Sequence, residues 1–432
     1  MAAEPIKSAF NLATCARPNI LSLEPYRCAR DDYKDDGTNI LLDANENAFG
    51  PGLALDASGK LPGAPSDAGI GIDLLGLHRY PDPHQNELKT LLCTLRNTHA
   101  HTPKSIGPEH LFVGVGSDEA IDALLRAFCV PGHSSILTCP PTYGMYAVSA
   151  AVNDIRIHPV PLLLPSFAPD VPTITATLAE HPEIKLVYLC SPGNPTGTLV
   201  PKSALEPLLT HPSWNGLVVL DEAYIDFAPE GASLAEWVAE WPNLVVMQTL
   251  SKAFGLAGIR LGAAFCAPPV ARLLNALKAP YNISNPSSAI ARAALSPESL
   301  AVTAAHRAAI VEQRERLVHE LPKIPGVGEF RGGFGANFVL VQMLDAPGGR
   351  PCNAVALAVY ARLAERRGVV VRFRGKELGC EGCLRVTVGT GEETGRFLRE
   401  LEDVLRGIYA EKGVGEGAEE EKAEVEANAV VA

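Results

Sequence analysis

Short, unbroken apolar runs separated by helix-length stretches constrain this chain more than any other feature. Leu111–Val115, Ser134–Cys139, Lys185–Cys190, Gly216–Asp221, Leu244–Thr249 and Leu261–Cys266 carry β-favouring residues without regular polar alternation. Strands that read this way are covered on both faces. The runs therefore predict an α/β fold, a large domain built on a mainly parallel sheet. Between them, GSDEAIDALLRAF places Ile121, Leu124, Leu125 and Phe128 at helical spacing behind Ser117 and two acids.

From about residue 299 the pattern changes. A helical stretch over Leu300–Leu321 leads into ANFVLVQM, VVVRFRG and CLRVTVG, then a helix over Glu392–Tyr409, which predicts a smaller α+β domain. The expected organisation is an N-terminal arm (1–75), a large domain (76–298), a small C-terminal domain (299–410) and an acidic tail (411–432). The arm includes a Gly/Pro-rich surface insertion at Leu55–Asp73. The tail carries seven Glu against two Lys and is expected to be disordered.

At 432 residues, the chain is long enough for two cores. A net charge of -12 argues against a nucleic-acid partner, which needs a basic face. No apolar run is long enough to span a membrane, so no membrane partner is expected. The N-terminus lacks a signal-peptide apolar centre, and Glu4 and sparse arginines disfavour a transit peptide, which points to the cytoplasm. Scattered single cysteines suit a reducing compartment. Cys380 and Cys383 have CxxC spacing but no second pair of ligands nearby, and His78, His99 and His101 read as surface residues, so no metal is expected.

In a parallel sheet the chemistry collects beyond the carboxyl ends of the strands. Four such ends carry polar groups: GSDE after the first run, SPGNPTG (Ser191–Gly197) after the third, DEAY from Asp221, and TLSKAFGLAGIRLG (Thr249–Gly262) after the fifth. Lys252 among apolar neighbours is a usable amine. The helix start at Gly116, Ser117 and Asp118, with Ser251 and Arg260, suits an anionic phosphate. Asp221 suits a protonated ring nitrogen, Asn194 and Tyr224 suit a ring oxygen, and Tyr143 suits a ring face. The GVGSDE stretch overlaps a dinucleotide fingerprint, but Glu119 stands where its third glycine belongs.

SPGNPTG, DEAY, TLSKAFGLAGIRLG and CLRVTVGT, in this order, resemble the aspartate-aminotransferase group, fold type I of the pyridoxal-phosphate enzymes. LDANENAFGP, RYPDP and the stretch Arg126–Tyr146 are similar to the histidinol-phosphate aminotransferases of that group. The resemblance covers about Leu41 to Tyr409, apart from the insertion. It implies a seven-stranded, mainly parallel sheet in the large domain, pyridoxal 5'-phosphate as cofactor, Lys252 as the Schiff-base lysine and Asp221 as partner of the pyridine nitrogen. Asn194 and Tyr224 would hold the ring oxygen and Tyr143 would stack on the ring. Ser117, Asp118, Ser251 and Arg260 would surround the cofactor phosphate, with Tyr80 reaching it from a second subunit of a homodimer. Arg385 would receive the substrate anion and Arg372 would be a second phosphate contact. The family reaction moves an amino group between L-histidinol phosphate and 2-oxoglutarate in histidine synthesis.

Two positions depart from the family pattern. Phe49 closes the Asn45–Phe49 stretch without the tyrosine hydroxyl that many relatives offer, and Gly193 stands where relatives often have Asn. The alternatives are an aromatic-amino-acid aminotransferase, a threonine-phosphate decarboxylase, and a non-catalytic cofactor-binding homologue, against which intact Lys252 and Asp221 speak.

Overall fold

The computed structural model describes residues 38–43, 45, 47–49 and 81–412. The expected insertion, Tyr80 and most of the expected tail lie outside the described residues. Seven strands form the larger sheet: β2 (Leu111–Gly114), β3 (Ser135–Thr138), β4 (Arg156–Pro159), β5 (Ile184–Cys190), β6 (Leu217–Asp221), β7 (Leu244–Thr249) and β8 (Gly262–Cys266). Their order is β2-β8-β7-β6-β5-β3-β4, and β8 alone runs against its neighbours. Successive residues feed opposite faces: Leu186 and Tyr188 enter one apolar core, Val187 and Leu189 the other. Apart from the edge strand β4, both faces of these strands are buried, which is why they read as unbroken apolar runs.

The seventh strand is β4, absent from the sequence expectation. Its four residues, RIHP, lie at the sheet edge and stay partly exposed, so they carry no apolar run. The second sheet, β12 (Arg372–Phe373), β13 (Cys383–Thr387), β10 (Phe338–Met343) and β9 (Val327–Phe330), is antiparallel. The half-exposed β9 also escapes the sequence reading. A parallel pair of β1 (Ile40–Leu41) with β11 (Val369–Val370) fastens the N-terminal arm beside this sheet.

The long helix spans Pro297–Glu320, three residues earlier than expected, because Ser296 caps it and Pro297 supplies a preset first turn. Ser296 Oγ accepts from the Ser299 amide at 3.2 Å. The last described helix, Gly391–Lys412, runs past the expected limit of Tyr409. Arg362 holds Glu411 by two hydrogen bonds, of 3.0 and 2.6 Å, so the first residues assigned to the acidic tail are helical. Backbone bonds from Gly333 to Thr196 (2.8 Å) and from Gly335 to Gly197 (2.9 Å) join the turn after β5 to the segment before β10. Among the described residues, no helix is long and apolar enough to cross a membrane.

Candidate active site

The carboxyl ends of β2, β5, β6 and β7 converge with β13 on one buried polar cluster. Asp221 ends β6 and is 2% exposed. Its Oδ2 accepts from the Tyr146 hydroxyl at 2.7 Å and its Oδ1 from the Ala223 amide at 3.1 Å. Burial outweighs these two donors and the nearby Lys252 charge, and pushes the carboxyl up to about 6. Next to it, Glu222 turns away and ties the DEAY segment down. It accepts from Ser233, the Leu234 amide and Gln248 at 2.7–2.8 Å.

Tyr224 is buried with its hydroxyl between two amides, Asn45 Nδ2 at 3.1 Å and Asn194 Nδ2 at 3.5 Å. Burial raises its phenol to about 12, against the pull of Arg385. Asn194 Oδ1 in turn accepts from Arg385 Nη1 at 2.6 Å. Lys252 sits in the turn after β7, with its Nζ 5.9 Å from the centre of the Tyr224 ring. Asn194, Tyr224, Asp221 and Lys252 are thus brought into one cluster.

The residues expected to surround an anion lie at the start of the helix Gly116–Phe128. Gly116 has φ of +71°, and a Cβ there would press on Arg260 Nη2 at 2.7 Å. A Cβ on Gly262 would overlap the Ser117 backbone nitrogen, so glycine lets β8 pass directly under the helix N-terminus. Arg260 itself takes φ of +51°, a strained conformation that costs on the order of 1–3 kcal/mol and persists where its surroundings impose it. Its Nη2 lies 3.4 Å from Asp118 Oδ2, and the Tyr143 hydroxyl donates to Asp118 Oδ1 at 3.2 Å. Asp118 therefore organises the guanidinium and the aromatic ring, while an anion would meet the helix amides. The buried Ser251 Oγ accepts from Thr249 Oγ1 at 2.9 Å on the same floor.

Arg385 on β13 is the most constrained cation of the site, 4% exposed and lying 5.3 Å from the Phe338 ring centre. Its Nη2 donates to the Asp43 carbonyl at 2.7 Å, but its buried Nε–H has no partner among the described residues. Burial, with Arg374 and Arg372 nearby, pushes it down to about 9, so it stays cationic at neutral pH. Arg372 faces it directly across the β12–β13 ladder. Like charges placed opposite one another repel, and an anion between them removes that repulsion.

The sequence reading gave no role to Tyr146, Asn45 or Thr387. Tyr146 is fully buried, stacked 4.7 Å from Tyr188, and holds Asp221. Its only signal was a second tyrosine three residues after Tyr143. Asn45 has φ of +53° and is anchored by Thr387, whose hydroxyl donates to its Oδ1 at 2.8 Å. Phe49 packs 5.9 Å from His306. Glu119 accepts from the Val115 amide and from Asn282, so at the place of a fingerprint glycine it closes the helix start. Gly193 is held in a tight turn by its amide's bond to the Thr198 carbonyl, 2.9 Å, with Thr196 Oγ1 filling the space a side chain would take. The Cys380 and Cys383 thiols are fully buried and bond to carbonyls of their own loop.

One prediction arises from the Tyr146 contact. Tyr146→Phe removes a donor from a buried carboxylate and should destabilise the cofactor-free protein by about 1.5–3 kcal/mol at pH 7. Below pH 5, where Asp221 is protonated, the loss should shrink towards about 1 kcal/mol. Denaturant melts at the two pH values check it, and an equal loss at both would remove the charge from the argument.

The family model for aminotransferase class I and II matches residues 52–401. The histidinol-phosphate aminotransferase of Schizosaccharomyces pombe is 48% identical over 404 residues, covering 93% of this chain and 100% of that protein. That of Cytophaga hutchinsonii is 41% identical, covering 92% and 99%. Among solved structures, the histidinol-phosphate aminotransferase of Sinorhizobium meliloti in complex with pyridoxal-5'-phosphate superposes with a TM-score of 0.74. At 24% identity it covers 93% of this chain and 99% of its own and supports the fold. With the fold, the converging strand ends and these relatives together, the chain belongs to the class I and II aminotransferases and, within them, to the histidinol-phosphate aminotransferase family.

Proposed function

We propose that this enzyme transfers the amino group between L-histidinol phosphate and 2-oxoglutarate, giving imidazole acetol phosphate and L-glutamate, with pyridoxal 5'-phosphate held through Lys252. The observation that carries the reading is Arg385: a buried cation with an open N–H, opposite Arg372 and bonded to Asn194. The 48% identity to a histidinol-phosphate aminotransferase over nearly the whole chain supports the choice of substrate.

The residues fit the cofactor. Asp221 is a buried carboxylate at a strand end, and the glycine-lined helix start beside Ser251 and Arg260 offers amides, a hydroxyl and a guanidinium to a phosphate. Bound there, pyridoxal phosphate supplies an aldehyde for the amine and a ring that withdraws electrons from the carbon bearing it. Asp221 keeps the ring nitrogen protonated. Asn194 and Tyr224 hold the ring oxygen, and Tyr143 covers the ring face. The Lys252 amine moves the proton at the reacting carbon. Arg385 binds the anion common to both partners, a phosphate in histidinol phosphate and a carboxylate in glutamate, because a planar guanidinium makes a two-point bond with either. Arg372 supports the larger phosphate.

The division of labour is testable by single-turnover kinetics of each half-reaction. A lost charge-assisted contact costs about 1.5–3 kcal/mol, roughly ten- to a hundredfold in catalytic efficiency. Arg385→Lys should slow both half-reactions by that factor. Arg372→Ala should slow the histidinol-phosphate half preferentially, and an equal loss in both would sink the assignment. If the wild type prefers phenylalanine or tyrosine to histidinol phosphate, the aromatic-aminotransferase reading replaces this one.

The functional unit we infer is a cytoplasmic isologous homodimer in which Tyr80 reaches the cofactor phosphate of the neighbouring subunit. Light scattering at working concentration should give twice the chain mass; a fully active monomer would reject the dimer. Tyr80→Phe should weaken cofactor retention by about tenfold, one hydrogen bond to a charged group.

A further inference from the structure

The histidines, read from sequence as unconnected surface residues, do not all stay apart in the fold. His158, in the edge strand β4, meets His181, which ends the helix Val171–Glu180, and Glu183, just before β5. One ligand atom from each of the three lies within 4.8 Å of the others. His181 Nδ1 is 3.0 Å and His158 Nε2 is 3.5 Å from Glu183 Oε1, and the two imidazole rings are 4.3 Å apart. Metal–ligand bonds of about 2.0–2.1 Å at tetrahedral angles separate neighbouring donor atoms by about 3.3–3.4 Å, so the two measured spacings already bracket that edge.

We propose that His158, His181 and Glu183 form a surface site for a zinc-class divalent ion, clipping the edge strand β4 to the amino end of β5. Two imidazoles and one carboxylate select zinc and its transition-metal neighbours over magnesium or calcium, which take oxygen donors. All three residues are partly exposed, which leaves the fourth position to water. The nearest cations do not block the site. Lys185 turns its Nζ to the Pro182 carbonyl at 2.7 Å, and Arg156, two residues before His158 on β4, is exposed. An edge strand presents unpaired backbone groups, and β4 is only four residues long, so a chelate there restrains the weakest part of the large sheet. Glu183 and His181 sit at the amino end of β5, whereas the active-site groups follow its carboxyl end. The site is therefore independent of the amino-transfer chemistry.

The test is calorimetric titration of the tag-free, cofactor-loaded enzyme with zinc chloride, with magnesium chloride as control. Binding of one zinc per chain is expected, with no uptake of magnesium. A rise in melting temperature of about 2 °C or more is expected at a hundredfold excess over Kd. His158→Gln and Glu183→Gln, both at the surface, should each weaken zinc by about tenfold or more while turnover stays at the wild-type value. Absence of zinc binding in the wild type overturns the proposal. So does binding of undiminished strength in both variants, which would locate the metal at cysteines or at the cofactor phosphate instead.

Discussion

Lys252→Ala should leave a folded, colourless protein whose turnover is lower by roughly a thousandfold or more, the range that proton transfer by a positioned side chain contributes. The argument rests on where the amine stands. The turn after β7 carries Lys252 between the buried Ser251 and Ala253, and its Nζ is poised over the Tyr224 ring with Asp221 close enough to feel its charge. Among the described residues no other lysine is carried by a strand end of this cluster, so none of them offers a second amine to take over. Lys252→Arg separates the two roles of the residue, because it keeps the positive charge but offers no usable amine at neutral pH. Both variants should lose the visible absorption that the lysine linkage gives the bound cofactor. Circular dichroism like that of the wild type would show that the loss is chemical rather than a failure to fold. A variant that keeps its turnover, or an active wild type without colour, would remove Lys252 from the reaction.

Residues that act through a strand end were legible in the sequence because the sheet announces itself. Unbroken apolar runs mark where β5, β6 and β7 stop, and the polar groups at or just after those ends include Asn194, Asp221 and Lys252. Arg385 stands as the lone charge of the apolar strand CLRVTVG, but its role, and that of Arg372, which shares VVVRFRG with Arg374, came only from the family resemblance. What stayed hidden depends on packing rather than pattern. Tyr146 lies in the first turn of a helix whose composition is apolar all round, and only the fold aims its hydroxyl at Asp221. Asn45 belongs to the arm, and its reach to Tyr224 depends on the pairing of β1 with β11 across more than three hundred residues of chain. Strand β4 escaped because an edge strand exposed to water carries no apolar signature, and with it escaped the meeting of His158 with His181 and Glu183. The sequence reading tied no histidine to an acid; His181 and Glu183 stand two residues apart, but their third member arrives only through the order of the strands.

Asp221→Asn should stabilise the cofactor-free protein at neutral pH while crippling the enzyme. In the fold the Asp221 carboxyl is raised from about 3.8 to about 6, chiefly by burial, so the ionised form is disfavoured relative to the unfolded chain. A raised acid gives stability that is full below its unfolded pKa and is lost as pH climbs through the folded value. The wild type should therefore carry no penalty near pH 3.8 and its full penalty above pH 6. A shift of about two units corresponds to roughly 3 kcal/mol. Asparagine is nearly isosteric with the protonated acid: its Oδ1 still accepts from the Ala223 amide and its Nδ2 donates to the Tyr146 hydroxyl, as the acid's O–H would, so it escapes the penalty. Denaturant melts of the cofactor-free proteins should show Asp221→Asn ahead by roughly 3 kcal/mol at pH 7, and level with the wild type near pH 4. With pyridoxal phosphate bound, the ranking should close or reverse, because a protonated ring nitrogen gives the carboxylate the partner that asparagine cannot match. Turnover should fall by roughly a hundredfold or more, at least the loss of one charge-assisted contact. A stability gain that does not depend on pH would mean that packing, and not the buried charge, separates the two proteins. A stable variant with undiminished turnover would mean that Asp221 does not face the ring nitrogen at all. The burial that makes this carboxylate costly in the empty protein is thus the same feature that fits it to hold a cation in the working one.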